Sequence, residues 1–168
     1  MNIVIRKEES QDVDHVREVL RAAFPTDAES RLVDALRLHG KAVISLVAVS
    51  DDRVIGHILF SPVSTTPPDV FEGVGLAPVA VHPDLQSRGI GSALIREGLR
   101  LCREFKYDYC VVLGDPKYYR RFGFEKASQF GIQNEYGVDD EFMLISFSES
   151  TPAPALVRYE PEFGMFSV

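Results

Sequence analysis

The sequence predicts a single-domain α/β protein with a mixed sheet, and two patterns along the chain carry this prediction. Residues 43–49 and 54–63 are β-rich runs on either side of a short polar break, which is typical of an antiparallel hairpin. Residues 71–81, 89–106 and 109–113 have the patterns of a strand, a long amphipathic helix and a second strand. That order predicts two parallel strands joined by a right-handed crossover. A chain of 168 residues is long enough to bury one substantial core.

Before the hairpin, the pattern predicts one strand and two helices. Residues 3–6 form a short apolar strand. Asp12 is placed to cap a helix with one apolar face, and Pro25 ends that helix. Residues 26–29 have the Thr-x-x-Glu pattern of a capping box at the start of a second helix. Gly40 lies where a left-handed residue would end this second helix.

After the hairpin, further signals complete the predicted sheet. Pro78 lies inside the strand that precedes the long helix, and because proline has no N–H for the ladder it predicts an edge or a bulge there. Asp115 is placed to cap a short helix that Gly123 ends. Strands near Phe124 and at residues 142–147 are expected to close the sheet.

Composition excludes several classes of function. A net charge of −7 opposes binding to a nucleic-acid backbone. The chain shows no signal peptide and no apolar run of the roughly 18 residues that a membrane span needs. Cys102 and Cys110 match no metal-binding or redox spacing. We therefore expect a cytoplasmic protein with reduced cysteines and without a metal, nucleic-acid or membrane partner.

The most informative segment is residues 79–92, where an apolar strand leads through a glycine-spaced loop into the long helix. A helix N-terminus has unsatisfied N–H groups and a partial positive charge, so it favours an anion. Gly89 and Gly91 allow the backbone to approach that anion closely. A dinucleotide fold would need a third glycine and a P-loop would need Gly-Lys-Ser/Thr, and both are absent. A simple tight turn is the remaining alternative.

The Gln86-x-x-Gly89-x-Gly91 spacing between a strand and a helix resembles the acyl-CoA loop of GCN5-related N-acetyltransferases, the GNAT family. The resemblance implies a mixed, mostly antiparallel sheet with a splayed parallel strand pair in its middle and helices on both faces. It also implies acetyl-CoA as cosubstrate, with the pyrophosphate on the loop and the pantetheine along the preceding strand. The residues that it assigns to the cofactor are Val79, Ala80, Val81, Gln86, Ser87, Arg88, Gly89, Ile90, Gly91, Ser92 and Tyr119.

A second block, residues 113–124, strengthens the resemblance and is similar to a bacterial subgroup of the family. Tyr119 stands four residues before a Gly-Phe pair, a spacing found in many GNAT enzymes. The resemblance assigns it as the general acid that protonates the departing CoA thiolate. Gly114 and Asp115 replace an asparagine that is common in the wider family, which leaves a side-chain contact to CoA from this segment unassigned. Tyrosines on a short helix also pack with their hydroxyls at the surface, so a structural role stays open for Tyr119.

The general base is the least defined part of the predicted site. An amine with a pKa near about 10 must lose a proton before it attacks a thioester. Some GNAT enzymes carry a glutamate on the cofactor strand, where residues 73–75 here are Gly-Val-Gly. Glu72 is the candidate base, His57 and His82 are the other titratable groups considered, and a base acting through ordered water is an equal alternative.

The resemblance implies direct transfer of an acetyl group from acetyl-CoA to a primary amine in a ternary complex, and we expect the N–H of Val81 to polarise the thioester carbonyl. The expected acceptor is a small-molecule or peptide amine. We expect one domain over residues 1–168, with a core at 1–150 and a tail at 151–168 packed on it, and a homodimer is common in the family. The alternatives are a non-catalytic acyl-CoA-binding sensor or interaction module, and a structural domain without a cofactor.

Overall fold

The computed structural model describes residues 2–149 and 152–166. The strands are β1 Val4–Lys7, β2 Ile44–Ser50, β3 Arg53–Thr66, β4 Gly73–Val81, β5 Tyr109–Leu113, β6 Glu125–Lys126, β7 Ile132–Asn134, β8 Phe142–Ser146 and β9 Ala155–Tyr159. The α-helices are α1 Val13–Ala23, α2 Ala28–Leu38, α3 Ile90–Glu104 and α4 Pro116–Arg120. Short 3₁₀ turns lie at Ser10–Asp12, Pro83–Leu85, Ala127–Phe130 and Pro161–Phe166.

The strands form a mixed sheet in the order β1-β2-β3-β4-β5-β8-β6, and β9 pairs with both β3 and β7. The pairs β1–β2, β2–β3, β3–β9, β5–β8 and β6–β8 are antiparallel. The pair β4–β5 is parallel, which confirms the predicted crossover through α3. A second parallel pair, β7–β9, was not predicted.

The predicted hairpin is confirmed, and its second strand is longer than the sequence indicated. Asp51 and Asp52, with φ of 50° and 62°, make the turn between β2 and β3. β3 continues to Thr66, beyond the predicted end of this strand at residue 63. β9 supplies the hydrogen-bonding partners for this extension, from Val63↔Tyr159 to Thr66↔Leu156.

Contacts divide the chain into two compact units, of which the first is Met1–Ser61, Ala77–Leu101 and Glu162–Val168. Within this unit, helices cover both faces of β3. A Cβ built on Gly56 would lie 3.1 Å from Leu94 of α3, so the even-numbered face of β3 packs on that helix. The neighbouring His57 points to the opposite face, where a hydrogen-bond chain through Ser45 leads to Arg37 of α2.

The second unit is Pro62–Leu76 and Cys102–Pro161. In it, β5 lies between the first residues of β4 and the antiparallel strand β8. Three aromatic rings of this unit are almost fully buried and contribute to its core. These are Tyr109, Phe124 and Phe142.

Helix caps in the first unit differ from those that the sequence predicted. The Asp12 carboxylate does not cap α1; it accepts bonds from Arg6 at 2.7 and 2.9 Å and from the Glu9 backbone N–H at 2.7 Å. A nearby guanidinium competes successfully for a carboxylate that local pattern assigns to a helix end. The predicted capping box at residues 26–29 is also wrong, since α2 has Asp27 at its N-cap and no side-chain cap bond. Gly40, with φ of 70°, does end α2 as predicted.

Candidate active site

The loop before α3 turns through two residues with positive φ, Ser87 at 64° and Gly89 at 84°. A Cβ at Gly89 would meet no atom within 4 Å, so its backbone conformation, and not a lack of space, favours glycine there. The side-chain amide of Gln86 donates a hydrogen bond of 3.1 Å to the carbonyl of Val81. This bond ties the loop to the end of β4, and it gives the glutamine of the motif a structural role.

The start of α3 has features that favour an anion. Residues 86–89 are exposed, and the 15-residue helix that follows begins with N–H groups that lack intrahelical acceptors. The side chains of Ile90 and Ser92 are buried. Ile90 and Ser92 therefore offer a ligand only their backbone amides, while Arg88 adds an exposed positive charge.

The end of β4 carries the three residues assigned to pantetheine. Ala80 is 3 % exposed, and Val79 and Val81 are half-buried. The parallel pairing of β4 with β5 runs from Gly73↔Tyr109 to Gly75↔Val111, while β4 itself continues to Val81.

In the second unit, α4 holds Tyr119 in a fixed position. Asp115 caps the helix, because its carboxylate accepts a 3.1 Å bond from the Lys117 N–H, as the sequence predicted. The Tyr119 ring makes edge contacts with Tyr118 and Phe124, at centroid distances of 5.2 and 5.6 Å. Tyr119 is only 8 % exposed.

The surroundings of Tyr119 keep its phenol neutral. Burial, with the nearby Tyr118 and Cys110, raises the pKa of Tyr119 well above its ordinary value. A Cβ at Gly114 would overlap the Tyr119 ring. Glycine therefore stands at this position because the ring lies directly over it. Tyr119 can donate a proton but does not act as a base near neutral pH.

The structure places Glu72 outside β4, in an exposed position just before the strand begins. Its backbone is fixed, since its N–H donates to the Asp108 carboxylate at 2.7 Å and its carbonyl accepts from the Asp108 N–H at 2.8 Å. Its side chain faces solvent. The Glu72 carboxylate is thus in contact with solvent, and its part in catalysis stays a prediction.

The two histidines considered as bases have structural partners. His57 is fully buried, and burial together with the charge of Arg37 lowers its pKa to about 3. Its Nε2 lies 2.9 Å from the Ser45 hydroxyl, which donates in turn to Glu8 at 2.9 Å. His82 accepts a 3.2 Å bond at Nδ1 from the Asp84 N–H, which shapes the turn after β4.

Tyrosine rings fill the space beside the two glycines that start β4. A Cβ on Gly73 would overlap the ring of Tyr109, and a Cβ on Gly75 would lie 2.6 Å from Cε1 of Tyr159. A side chain larger than that of glycine fits at Gly73 or Gly75 only if the neighbouring tyrosine ring moves. Tyr159 belongs to β9, a strand that was not predicted, so sequence reasoning missed it.

The two cysteines are buried, so neither thiol is exposed as a nucleophile. Cys102 and Cys110 are free and buried, and burial raises the pKa of Cys102 to about 12. Among the residues that the structure describes, no group of three or more His, Cys, Asp or Glu side chains is placed to hold a metal ion. Within 2–149 and 152–166, none of the helices is long and apolar enough to cross a membrane.

Sequence comparisons identify related proteins over the whole chain. The model of the Acetyltransferase (GNAT) family matches residues 13–124. The chain is 36% identical to the Escherichia coli protein named uncharacterized N-acetyltransferase YhbS, over 98% of this chain and 100% of that protein. It is 34% identical to the protein named uncharacterized N-acetyltransferase YjhQ of the same organism, over 86% of this chain and 82% of that one.

Solved structures agree with these relationships. The crystal structure of E. coli YhbS in complex with CoA has a TM-score of 0.93 and 34% identity, covering 100% of this chain and 95% of that one. A GNAT-family acetyltransferase from Brucella melitensis in complex with acetyl-CoA has a TM-score of 0.82 and 38% identity, covering 96% and 98%. The mixed sheet with its parallel β4–β5 pair is the fold that these structures share. The chain therefore belongs to the GNAT family of N-acetyltransferases.

Proposed function

We propose that this protein transfers an acetyl group from acetyl-CoA to a primary amine by direct attack in a ternary complex. The observation that carries the proposal is the exposed start of α3, where the Gln86–Val81 bond holds the loop in a conformation that presents N–H groups to an anion. Relatives crystallised with CoA and with acetyl-CoA support the same ligand. We assign the reaction to residues 1–168 acting as one catalytic domain in the cytoplasm.

The cofactor contacts follow from the assigned segments. The backbone N–H groups of residues 86–92 bind the pyrophosphate, and Arg88 adds charge beside them. The pantetheine amides pair with residues 79–81 in the manner of an added strand, and the Val81 N–H polarises the thioester carbonyl.

The chemistry requires the acceptor nitrogen to lose two protons and the CoA thiolate to gain one. A base, Glu72 or an ordered water, removes the first proton from the acceptor ammonium. The neutral nitrogen attacks the thioester carbon, and the C–S bond breaks as the tetrahedral intermediate collapses. Tyr119 gives its proton to the CoA thiolate, consistent with a buried phenol that stays protonated. The nitrogen, positively charged after the attack, loses its second proton to water, and water returns a proton to the Tyr119 oxygen. The products are the acetylated amine and CoA.

Calorimetric titration with acetyl-CoA tests the cofactor, with NAD and ATP as controls. Selective acetyl-CoA binding that Arg88→Ala weakens would support the assignment, and the melting temperature of the variant checks its fold. Thiol release with a panel of small amines and peptides then tests the transfer. No binding to any acyl-CoA would overturn the proposal.

A non-catalytic acyl-CoA-binding module is the second candidate. The observation that favours it is the pair of tyrosine rings over Gly73 and Gly75, which leaves β4 without a carboxylate at those positions. This candidate predicts acetyl-CoA binding without thiol release for every amine in the panel. Any acceptor-dependent thiol release that Tyr119→Phe reduces would exclude it.

A further inference from the structure

Two tyrosine rings and a carboxylate come together in the second unit, and the proposed acetyl transfer gives them no role. The rings of Tyr136 and Tyr159 lie 6.2 Å apart at an interplanar angle of 33°. Glu135 Oε1 accepts a 3.3 Å bond from the backbone N–H of Tyr159. We call Glu135, Tyr136 and Tyr159 the tyrosine–glutamate recess.

The loop that carries half of this recess is held rigidly. Asn134 is only 4 % exposed, and its Oδ1 accepts bonds of 2.9 Å from the Tyr136 N–H and 3.3 Å from the Val138 N–H. Its Nδ2 donates to the Val138 carbonyl at 2.6 Å. The chain therefore fixes Glu135 and Tyr136 before any ligand arrives, which lowers the entropic cost of binding.

The chemistry of the recess suits a cation. A carboxylate accepts hydrogen bonds only, and the face of a tyrosine ring attracts positive charge. Arg158 already approaches Glu135, with Nη1 3.6 Å from Oε2. This ion pair is long and its arginine is about half exposed, so another cation can compete for the same carboxylate.

The position of the recess connects it to the proposed reaction. The Tyr159 ring lies over Gly75, where the parallel pairing of β4 with β5 ends. Burial raises the pKa of both the Tyr119 phenol and the Tyr159 phenol. Tyr159 is buried and Tyr136 is 39 % exposed, so solvent reaches the recess at Tyr136.

We propose that Glu135, Tyr136 and Tyr159 bind the ammonium group of the acceptor amine, and that they select cationic alkylamines over neutral molecules of the same shape. This proposal rests on the proposed acetyl transfer, because that reaction is what makes the bound amine an acceptor. Loss of the ammonium proton removes the attraction to Glu135, which releases the neutral nitrogen from the recess.

The test is an NMR titration of the whole protein with n-butylammonium, at constant ionic strength, with n-butanol as the neutral probe. We expect butylammonium to bind more tightly than butanol, and Glu135→Gln to weaken it by about tenfold, the scale of a partly desolvated cation contact. Tyr136→Phe keeps the ring and removes the hydroxyl, so it should change binding less than Glu135→Gln does. Glu125→Gln, at another exposed glutamate of the same unit, is the matched control and should leave binding unchanged.

Arg158→Gln should strengthen the binding of butylammonium, an effect that a merely structural role of the recess would not produce. It removes the competing cation, so butylammonium should bind about threefold more tightly, the scale of an exposed ion pair. Equal binding to wild type and Glu135→Gln, or weaker binding to a folded Arg158→Gln, would overturn the proposal. Melting temperatures of all variants separate these results from misfolding.

An acetyl-CoA titration on the same samples separates the two proposals. If acetyl-CoA binds but ammonium binding does not depend on Glu135, the proposed ammonium site is wrong and acetyl transfer is unaffected. Ammonium binding with the expected signs but no acyl-CoA binding would overturn acetyl transfer and leave the cation site standing.

Discussion

Tyr119 shows how one side chain is prepared for its proposed role by its neighbours. Its reference pKa of about 10 lies above the thiol value of about 8.5, so transfer to a thiolate must accompany C–S cleavage. Burial against Tyr118 and Phe124 raises the pKa of Tyr119 further and keeps the proton available over the whole neutral range. The absent side chain of Gly114 provides the space for the ring.

We predict that Tyr119→Phe lowers the turnover of the acceptor reaction by about 100-fold, the range for loss of a positioned acid, while the Kd for acetyl-CoA changes little. The ring contacts are preserved in this variant, so stability should be nearly unchanged. Thiol-release kinetics and calorimetry measure the two quantities. Tyr118→Phe is the matched control, and an unchanged turnover in Tyr119→Phe would remove the residue from the mechanism.

Glu162 is a second residue whose environment determines its ionisation. Burial opposes its charge, but hydrogen bonds from Lys41 at 2.9 Å and His39 at 2.6 Å prevail and lower the pKa of Glu162 to about 2. A lowered carboxyl pKa means that the folded state binds the proton less readily than the unfolded state, whose pKa is near 4.5.

The stabilisation from Glu162 is therefore complete above about pH 4.5 and is lost as the pH falls towards about 2. We predict that Glu162→Gln lowers the melting temperature at pH 7 and flattens its decline between those two pH values. Thermal unfolding of wild type and variant across that range tests this. Parallel curves for the two proteins would contradict the assignment, and Glu18→Gln, an exposed glutamate of α1, serves as the control.

At the scale of single elements, α4 links helix capping to the proposed chemistry. It has five residues, too few to be stable by itself, so the Asp115 cap and the packing of Tyr119 hold it together. The sequence predicted this cap correctly because both partners lie within three residues of each other. The cap predicted for α1 failed because Arg6, on a separate strand, binds the same carboxylate.

We predict that Asp115→Ala destabilises the protein by about 1 kcal/mol, the usual cost of an N-cap, and lowers turnover because α4 no longer fixes Tyr119. Asp115→Asn retains an acceptor for the Lys117 N–H and should stay close to wild type in both measurements. Urea unfolding gives the stability and thiol release gives the rate. Equal stability of the alanine and asparagine variants would show that the cap does not hold α4.

At the scale of the whole molecule, β9 is the element that completes the second unit. It pairs with the end of β3 on one side and with β7 on the other, and it brings Tyr159 over Gly75. Without it, both neighbouring strands would present unpaired N–H and C=O groups.

We predict that truncation after Pro154 abolishes cooperative unfolding of the second unit and promotes aggregation, because two strand edges become unpaired and Gly75 loses the covering ring of Tyr159. Truncation after Gly164 retains β9 and is the matched control. Thermal unfolding and size-exclusion chromatography distinguish the two chains. A monomeric, cooperatively folded chain ending at residue 154 would contradict the structural role of β9.

Local sequence patterns were enough to predict the hairpin, the β4–α3–β5 crossover, the loop at residues 86–92 and the capped helix of Tyr119. Each depends on residues close together in the chain, where periodicity, turn residues and caps act directly. Three other features depend on long-range packing: tyrosines fill the space beside Gly73 and Gly75, His57 is a buried neutral group, and the Glu135 carboxylate accepts a bond from the Tyr159 N–H. These contacts join segments that are far apart in sequence. They form through strand pairing and ring packing, and no local sequence pattern specifies the partners.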